Sequence, residues 1–378
     1  FIHDDKNPTN EAKYSIFEAC GFIWQRYKDG LFPYNVDGLI FTSTVFGVGS
    51  NKMGVAGPVK KLTWDYSFKW KPEEFNTIDF LVSTKKGDDG NDIITPVFEN
   101  GKNMYESTQF NQYKTLILSV GYNEKRHGYI NPCQDLLDDK ITLINDVNDK
   151  QSFKSEPKQF FPSEPYDIHA GLCNVMIEPD ANGNLQMFSK ERQVFGNGTI
   201  VECSYDINKD GLWKWSPLRV RYDKTAEFRN GQNTFGNDYT TADNNWHSIH
   251  NPVTEKMITT GADIPDILVS SDVYYNNMNS ERATEHMRDF HNLFVKKILI
   301  ESVTKRNDTL IDFACGKGGD LPKWIGSHLS FVFGVDVAKD NLENRLNGAC
   351  ARYLTYKKEM KNINKLINND FYHIIKYC

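Results

Sequence analysis

Near one end of the chain, two acids and a run of glycines stand at a spacing that points to a nucleoside site. Ile311-Asp312-Phe313-Ala314-Cys315-Gly316-Lys317-Gly318-Gly319-Asp320 is an apolar residue run closing into a small-residue turn. Sixteen residues after Asp320 a second apolar run, Phe331 to Val335, ends in Asp336. This layout opens a βαβ unit, in which a nucleoside cofactor lies over the strand ends. Glycine lets the turn approach a ligand and take backbone angles that a Cβ resists, and the second acid can accept ribose hydroxyls. Lys317 is followed by Gly and not by Ser or Thr, so the turn is not a P-loop. A dinucleotide would want a helix N-terminus free for its pyrophosphate, and Asp320 would repel one. A cationic amino-acid ligand suits that acid, so S-adenosylmethionine fits better than NAD.

A second group of charged residues lies toward the other end. Leu31 to Thr42, LFPYNVDGLIFT, reads as a turn and a buried strand with Asp37 at its start. In Phe68-Lys69-Trp70-Lys71-Pro72 the alternation puts Lys69 and Lys71 on one strand face, which is costly unless an anion lies between them. An edge strand protected by lysines is the plain reading of such a pair. In Trp215 to Lys224, WSPLRVRYDK, the same alternation aligns Arg219, Arg221 and Asp223. Guanidiniums fork onto phosphate oxygens, and Asp223 could hold one in place or bind a metal.

The elements that must position these groups follow from length and pattern. A chain of 378 residues, 39% hydrophobic and 25% charged, is a globular composition of two or three domains. A net charge of −6 argues against a protein that coats nucleic acid, so any RNA contact must be local. Seven cysteines without C-x-x-C spacing suggest neither a zinc site nor a disulfide framework. No apolar run is long enough to span a bilayer. Leu116 to Tyr122 and Thr199 to Tyr205 read as strands, Asn131-Pro132 as a turn, and Asp180 to Asn184 as a hairpin tip. Short strands between turns suit a small barrel. Residues 229 to 270, rich in Asn, Gly, Thr and Asp, read as a connector with His250-Asn251-Pro252 as a turn inside it, and lone histidines such as His127, His169 and His286 read as structural.

Asp312 to Lys323, DFACGKGGDLPK, strongly resembles the first motif of the mRNA cap guanine-N7 methyltransferases, and Tyr274-Tyr275-Asn276 through Asn292 resembles their N-terminal helix. The resemblance implies cofactor binding through Asp312, Ala314, Gly316, Asp320 and Asp336, with the last two acids on the amino-acid and ribose parts of the methyl donor. It implies a lysine for the donor carboxylate, best matched by Lys296; the spacing carries one extra residue, which makes Lys297 the alternative. Ala314 stands where the family usually has Gly.

DGLIF (Asp37 to Phe41), KWKP with NTIDF (Lys69 to Pro72, Asn76 to Phe80) and RVRYDK (Arg219 to Lys224) resemble three motifs of the covalent nucleotidyltransferases, in the form of the capping guanylyltransferases. Ligases usually carry Glu-Gly at the first of these and lack the Trp-Lys-Pro of the second. The resemblance implies catalytic roles for Asp37, Lys69, Lys71, Arg219, Arg221, Asp223 and Lys224, with Asp37 placing Mg2+ or Mn2+, and GTP as substrate. The order of the two activities, NGACARYLTYKK (Asn347 to Lys358) and GNDYTTADNNWHSIHNPVT (Gly236 to Thr254) resemble the capping enzymes of large cytoplasmic DNA viruses.

The expected fold is therefore multidomain, α/β plus β: the C-terminal part of a nucleotidyltransferase domain over 1–82, an OB-fold barrel over 83–228, a linker over 229–270 and the first part of a Rossmann-like methyltransferase over 271–378. The parent would cap the 5′ end of nascent mRNA with GMP and methylate N7, in the host cytoplasm or the virion, beside viral transcription machinery and with no membrane. No K-x-(D/N)-G string supplies the guanylyltransferase nucleophile, and two strands are too few for a complete methyltransferase sheet, so the chain is expected to be a piece of a longer enzyme and inactive alone. A ligase fused to a different cofactor domain, and a non-catalytic RNA-binding barrel, are the alternatives.

Overall fold

The computed structural model describes residues 15–57, 64, 66–97, 111–138, 155–265 and 285–364. Tyr274 to Asn276, part of the expected helix, lie outside the described residues. The chain divides into two compact units, residues 1–121 with 156–266 and residues 122–155 with 267–378. Among the described residues no helix is long and apolar enough to cross a membrane.

The first unit opens with helix Ile16–Lys28, whose Ser15 and Glu18 form a reciprocal capping box. Strands β1 (Leu39–Thr42) and β2 (Ser67–Trp70) pair antiparallel, Leu39 opposite Trp70. Trp24 of the helix meets Trp70 edge-on at 5.0 Å, so the small sheet is seated on that helix. The larger sheet holds β3 (Thr77–Thr84), β4 (Ile94–Val97), β5 (Asn111–Tyr122), β6 (Glu156–Gln159), β7 (Leu172–Pro179), β8 (Leu185–Phe188), β9 (Val194–Phe195), β10 (Thr199–Tyr205) and β11 (Trp215–Val220). Its main path runs β11-β10-β3-β5-β7-β8-β9, with β4 and β6 added along β5. The described pairings within it are antiparallel, as expected of a strand-rich barrel.

One face of this sheet is apolar. Ile78, Phe80 and Val82 of β3, Leu116, Leu118 and Val120 of β5, and Val201 and Cys203 of β10 point the same way and are fully buried. Asp79, Glu202 and Arg219 fall on the opposite face, one to a strand, because Asp79 pairs with Glu202 and Glu202 with Arg219. A bulge after Glu202 sets that last register. The hairpin tip at Asp180 to Asn184 stands as expected between β7 and β8, and β10 has the span read from its alternation.

Two segments differ from expectation. The stretch read as a connector is built into the unit: Phe80 bridges to Gly236, Gly121 to Asp238, and helix Tyr239–His250 buries Tyr239, Ala242 and Trp246. A Cβ at Gly236 would overlap the Asp79 carbonyl, so only glycine lets this segment lie against β3. Asn131-Pro132 is a helix start and not a turn: Asn131 caps Pro132–Leu137 and proline occupies the first position, where its missing N–H is not needed.

The second unit contains parallel strands β12 (Thr309–Asp312) and β13 (Phe331–Gly334), Asp312 opposite Gly334, joined through helix Leu321–Gly326. Its core gathers Cys315, Leu321, Trp324, Val332, Leu342 and Ala349. Helices Glu124–His127 and Pro132–Leu137 belong to this unit, although they directly follow β5 in sequence.

Trp246 closes the aromatic end of the first unit's core. It lies 4.7 Å from Tyr205, 6.0 Å from Trp215 and 4.2 Å from His250 between ring centroids, and its Nε1 donates to the Pro165 carbonyl at 2.9 Å. Replacing Trp246 by Ala should cost about 3–5 kcal/mol of that unit's stability; denaturant unfolding followed by near-UV circular dichroism measures the loss.

Candidate functional site

Asp37 sits two residues before β1, between the ammonium groups of Lys69 at 3.0 Å and Lys71 at 3.2 Å. The anion required between the two lysines is thus a side chain of the protein itself. Gly38 makes the placement feasible: a Cβ there would overlap the Trp70 carbonyl oxygen, so the chain can pass β2 closely only with glycine. The Lys69 ammonium, supported by Lys71, holds the Asp37 carboxyl below the usual carboxylate range. Among the described residues no three His, Cys, Asp or Glu side chains gather as a metal site. Asp37 alone, already shared by two cations, does not make a protein-built metal site. Mg2+ bound through one or two carboxylates takes further ligands from phosphates and water.

The RVRYDK segment is arranged differently from an unbroken strand. β11 stops at Val220 and helix Tyr222–Arg229 begins after Arg221, so Asp223 and Lys224 lie on the helix's first turn. Arg219 and Arg221 nonetheless reach neighbouring acids on one face, Glu202 and Asp79, which pair across β10 and β3. Arg219 Nε donates to Glu202 at 2.7 Å, and Thr77 Oγ1 donates to the other Glu202 oxygen at 2.7 Å. Arg221 Nη1 and Lys224 Nζ both reach Asp79 Oδ2 at 2.6 Å, while Asp223 lies 3.5 Å from Arg221 Nη2. Burial raises the Glu202 carboxyl, but Thr77 and Arg219 outweigh it and leave it below its usual range.

Asp79, only 5% exposed, is the centre that the motif reading passed over. Its signal was in the sequence: an acid set in the largely apolar string Thr77-Ile78-Asp79-Phe80-Leu81-Val82 needs polar partners if the strand is buried. Asn237 fixes its backbone on both sides, accepting from the Asp79 amide at 2.7 Å and donating its own amide to the Asp79 carbonyl at 2.8 Å. On the β7 and β11 side of the same sheet an open groove of about 510 Å3 is lined by Lys190, Lys209, Trp213 and Trp215, with Arg192 paired to Glu178 at its rim.

In the second unit the strand ends converge on two acids. Asp320 accepts from Lys296 at 2.9 Å and from Lys323 at 2.7 Å. Lys297 instead faces Glu301 at 3.9 Å, so of the two candidate lysines Lys296 is the one brought to the turn. The helix runs as a π segment over His291–Val295, immediately before Lys296. Such a segment accommodates one added residue without ending a helix. Burial pushes the Asp320 carboxyl up, but Lys323 and Lys296 outweigh it and leave it below its usual range.

Asp336 ties both strand-end loops together. Its Oδ2 accepts from the Gly316 amide at 2.8 Å, and its Oδ1 from the Ala338 amide and Asn341 Nδ2, both at 2.9 Å. A carboxylate offers about four acceptor positions, so capacity remains for a ribose hydroxyl. Burial raises its carboxyl, and these three N–H groups bring it below the usual range. Asn341, buried in helix Lys339–Glu343, was not legible as a site residue. Asp312 accepts from the Ala314 amide at 3.1 Å and so shapes the turn. Gly316 and Gly318 have φ of 55° and 67°, the left-handed region that favours glycine, whereas Ala314 is not among the positive-φ residues. Alanine is therefore accommodated where the resembling family has Gly.

Residues 75–259 match the family described as mRNA capping enzyme, C-terminal domain, and residues 271–373 match the mRNA (guanine-N(7))-methyltransferase domain. A protein named "Probable mRNA-capping enzyme" from Acanthamoeba polyphaga mimivirus is 28% identical over 365 residues, 92% of this chain and 27% of that protein. The mRNA-capping enzyme of African swine fever virus (strain Badajoz 1971 Vero-adapted) is 22% identical over 316 residues, 82% of this chain and 29% of that protein. The mRNA cap guanine-N(7) methyltransferase 1 of Arabidopsis thaliana is 34% identical over 76 residues, 19% of this chain and 20% of that protein. The chain thus spans less than a third of the length of each of these relatives.

The Asp320 carboxyl is depressed by its lysines, so its contribution to stability is present above its unfolded pKa of about 4 and lost as pH falls through the lower folded value. Lys296→Met should move the Asp320 titration upward in carbon-detected NMR, and Lys297→Met should leave it in place.

Proposed function

We propose, on the premise that this chain belongs to the mRNA-capping enzymes and carries their guanine-N7-methyltransferase domain, that its second unit binds the methyl donor over β12 and β13. The observation that carries the reading is the Lys296–Asp320 ion pair on the same turn whose Gly316 amide holds Asp336. An ammonium and a carboxylate side by side match the carboxylate and ammonium of an α-amino acid. Donor binding exchanges an internal ion pair for two external ones, with Lys323 retained on Asp320. Asp336, held at the end of β13, then receives the ribose. S-adenosylmethionine supplies an electrophilic methyl group on a sulfonium. Guanine N7 has a lone pair and no proton to lose, so positioning and exclusion of water carry the transfer, without a general base.

The first unit supports the preceding reaction in the same pathway. Residues 1–82 belong, in this reading, to the nucleotidyltransferase domain, 83–228 to an OB-fold and 271–378 to the methyltransferase. Lys69 and Lys71 contact the phosphates of GTP, with Asp37 joining a divalent ion that the nucleotide brings. Arg221 and Lys224, and Arg219 beside them, are held on Asp79 and Glu202 until a more negative phosphate competes for them. The Lys190, Lys209 and Trp213 groove suits the RNA strand, whose phosphates and bases it can meet with cations and aromatic faces. The whole enzyme would transfer GMP to a diphosphate RNA end and then methylate it, in the cytoplasm of an infected host or in the virion.

Calorimetric titration of S-adenosylhomocysteine against NAD tests the donor reading. Saturable S-adenosylhomocysteine binding that Asp336→Ala abolishes is expected; NAD binding in its place would overturn it. With labelled GTP and Mg2+, this chain, which has no K-x-(D/N)-G string, should give no covalent labelled band.

A further inference from the structure

We propose that residues 122–138, which follow β5 and lie within the stretch matched as the capping-enzyme C-terminal domain, are a positioning element of the methyl-donor site. The proposal rests on Asp336 receiving the donor ribose. Although read along the sequence as part of the barrel, this segment folds with the second unit and grips it at several points.

The grip begins at helix Ala349–Asn364. Glu124 reaches Lys358 Nζ at 2.5 Å, and Lys358 is only 4% exposed in its side chain. The same ammonium lies 4.6 Å from the Tyr129 ring centroid. A buried ammonium needs such partners, because unpaired it would carry its full desolvation cost. Tyr129 and Arg345 are joined twice: the Tyr129 amide donates to the Arg345 carbonyl at 3.0 Å, and the Arg345 side-chain Nε donates to the Tyr129 carbonyl at 2.7 Å. A Cβ on Gly128 would overlap that Arg345 carbonyl, so this approach also requires glycine.

The second half of the segment bears on the donor site. Helix Pro132–Leu137 contacts both helix Lys339–Glu343 and helix Ala349–Asn364. Leu136 packs against the core that contains Leu342, and the Cys133 sulfur lies 2.7 Å from that of Cys350. Leu342 is the neighbour of Asn341, whose Nδ2 holds Asp336 Oδ1, and the same helix follows Ala338, whose amide holds that oxygen too. Leu136 and Cys133 thus brace the short helix, and that helix together with its N-cap residue Ala338 carries two of the three donors that aim Asp336. Five residues alone are too few to form a stable helix in water, so its orientation is set by what packs on it. Leu136 and Asn341 are positioning residues.

The test uses the whole chain, titrated with S-adenosylhomocysteine and followed by amide hydrogen exchange. Leu136→Ala and Asn341→Ala should each weaken binding by about tenfold or more. In Leu136→Ala the Gly316 and Ala338 amides, which bond Asp336, should exchange faster, while the Cys315 amide, bonded to the Val335 carbonyl, stays protected. Should Leu136→Ala unfold the unit, Glu124→Gln at the half-exposed end of the ion pair takes its place with the same expectation. Wild-type affinity in Leu136→Ala or its replacement, in a protein where Asp336→Ala abolishes binding, overturns the proposal. Unchanged affinity in Asp336→Ala overturns instead the donor-site reading on which it rests.

Discussion

One carboxylate placed between two cationic side chains recurs in both units among the described residues. Asp37 lies between Lys69 and Lys71, Asp79 between Arg221 and Lys224, and Asp320 between Lys296 and Lys323. Asp92, between Lys86 and Lys114, repeats the arrangement away from any of the motifs. Two cations about 4 Å apart in a partly solvated site repel by roughly 4 kcal/mol, and the intervening acid removes that cost. Two cations to one acid leave one positive charge in excess at Asp37 and Asp320, whereas Asp223 beside Arg221 offsets it at Asp79. A triad with that excess is stable as it stands and still attracts an anion, which is the property a phosphate or carboxylate site needs before its ligand arrives. Exposed pairs such as Lys69–Asp37 contribute little to folding stability, so their value lies in orientation.

Orientation in turn depends on places where backbone must come unusually close to backbone. Gly38 against Trp70, Gly236 against Asp79 and Gly128 against Arg345 leave no room for a Cβ. These three contacts place Asp37 beside its lysines, Asn237 beside Asp79, and the 122–138 segment beside helix Ala349–Asn364. The π segment at His291–Val295 serves a similar purpose by a different means. One residue more or fewer would turn the following side chains by about 100°, and with the segment as it stands Lys296 reaches Asp320 while Lys297 faces Glu301.

The second unit shows why a methyl-donor turn is more than its glycines. Asp336 is aimed by one N–H from the turn, one from the N-cap residue Ala338 and one from Asn341 on the following helix, and that helix is held by residues more than two hundred positions earlier in the chain. A local motif therefore depends on a long-range contact. The same dependence appears in the first unit, where helix Tyr239–His250, from a stretch poor in apolar residues, supplies the fully buried Trp246.

Residue type and spacing alone determined the family resemblance, the parallel β12 and β13 with their acids, the span of β10, the hairpin tip at Asp180 to Asn184, and the pairing of Lys69 with Lys71 on one face. Those features are local, and local geometry follows from alternation, glycine and turn chemistry. Helical spacing of Tyr239, Ala242, Trp246 and His250 behind the Asp238 cap was also present in the sequence, hidden by polar residues between. Only tertiary structure decided that Asp79 collects Arg221 and Lys224, since strand alternation does not mark where β11 ends and a helix begins. Only tertiary structure chose Lys296 over Lys297, and joined 122–138 to the second unit. Each of those outcomes is settled by which distant surface a side chain can reach, and that depends on packing between segments that the spacing of residues along one of them does not encode.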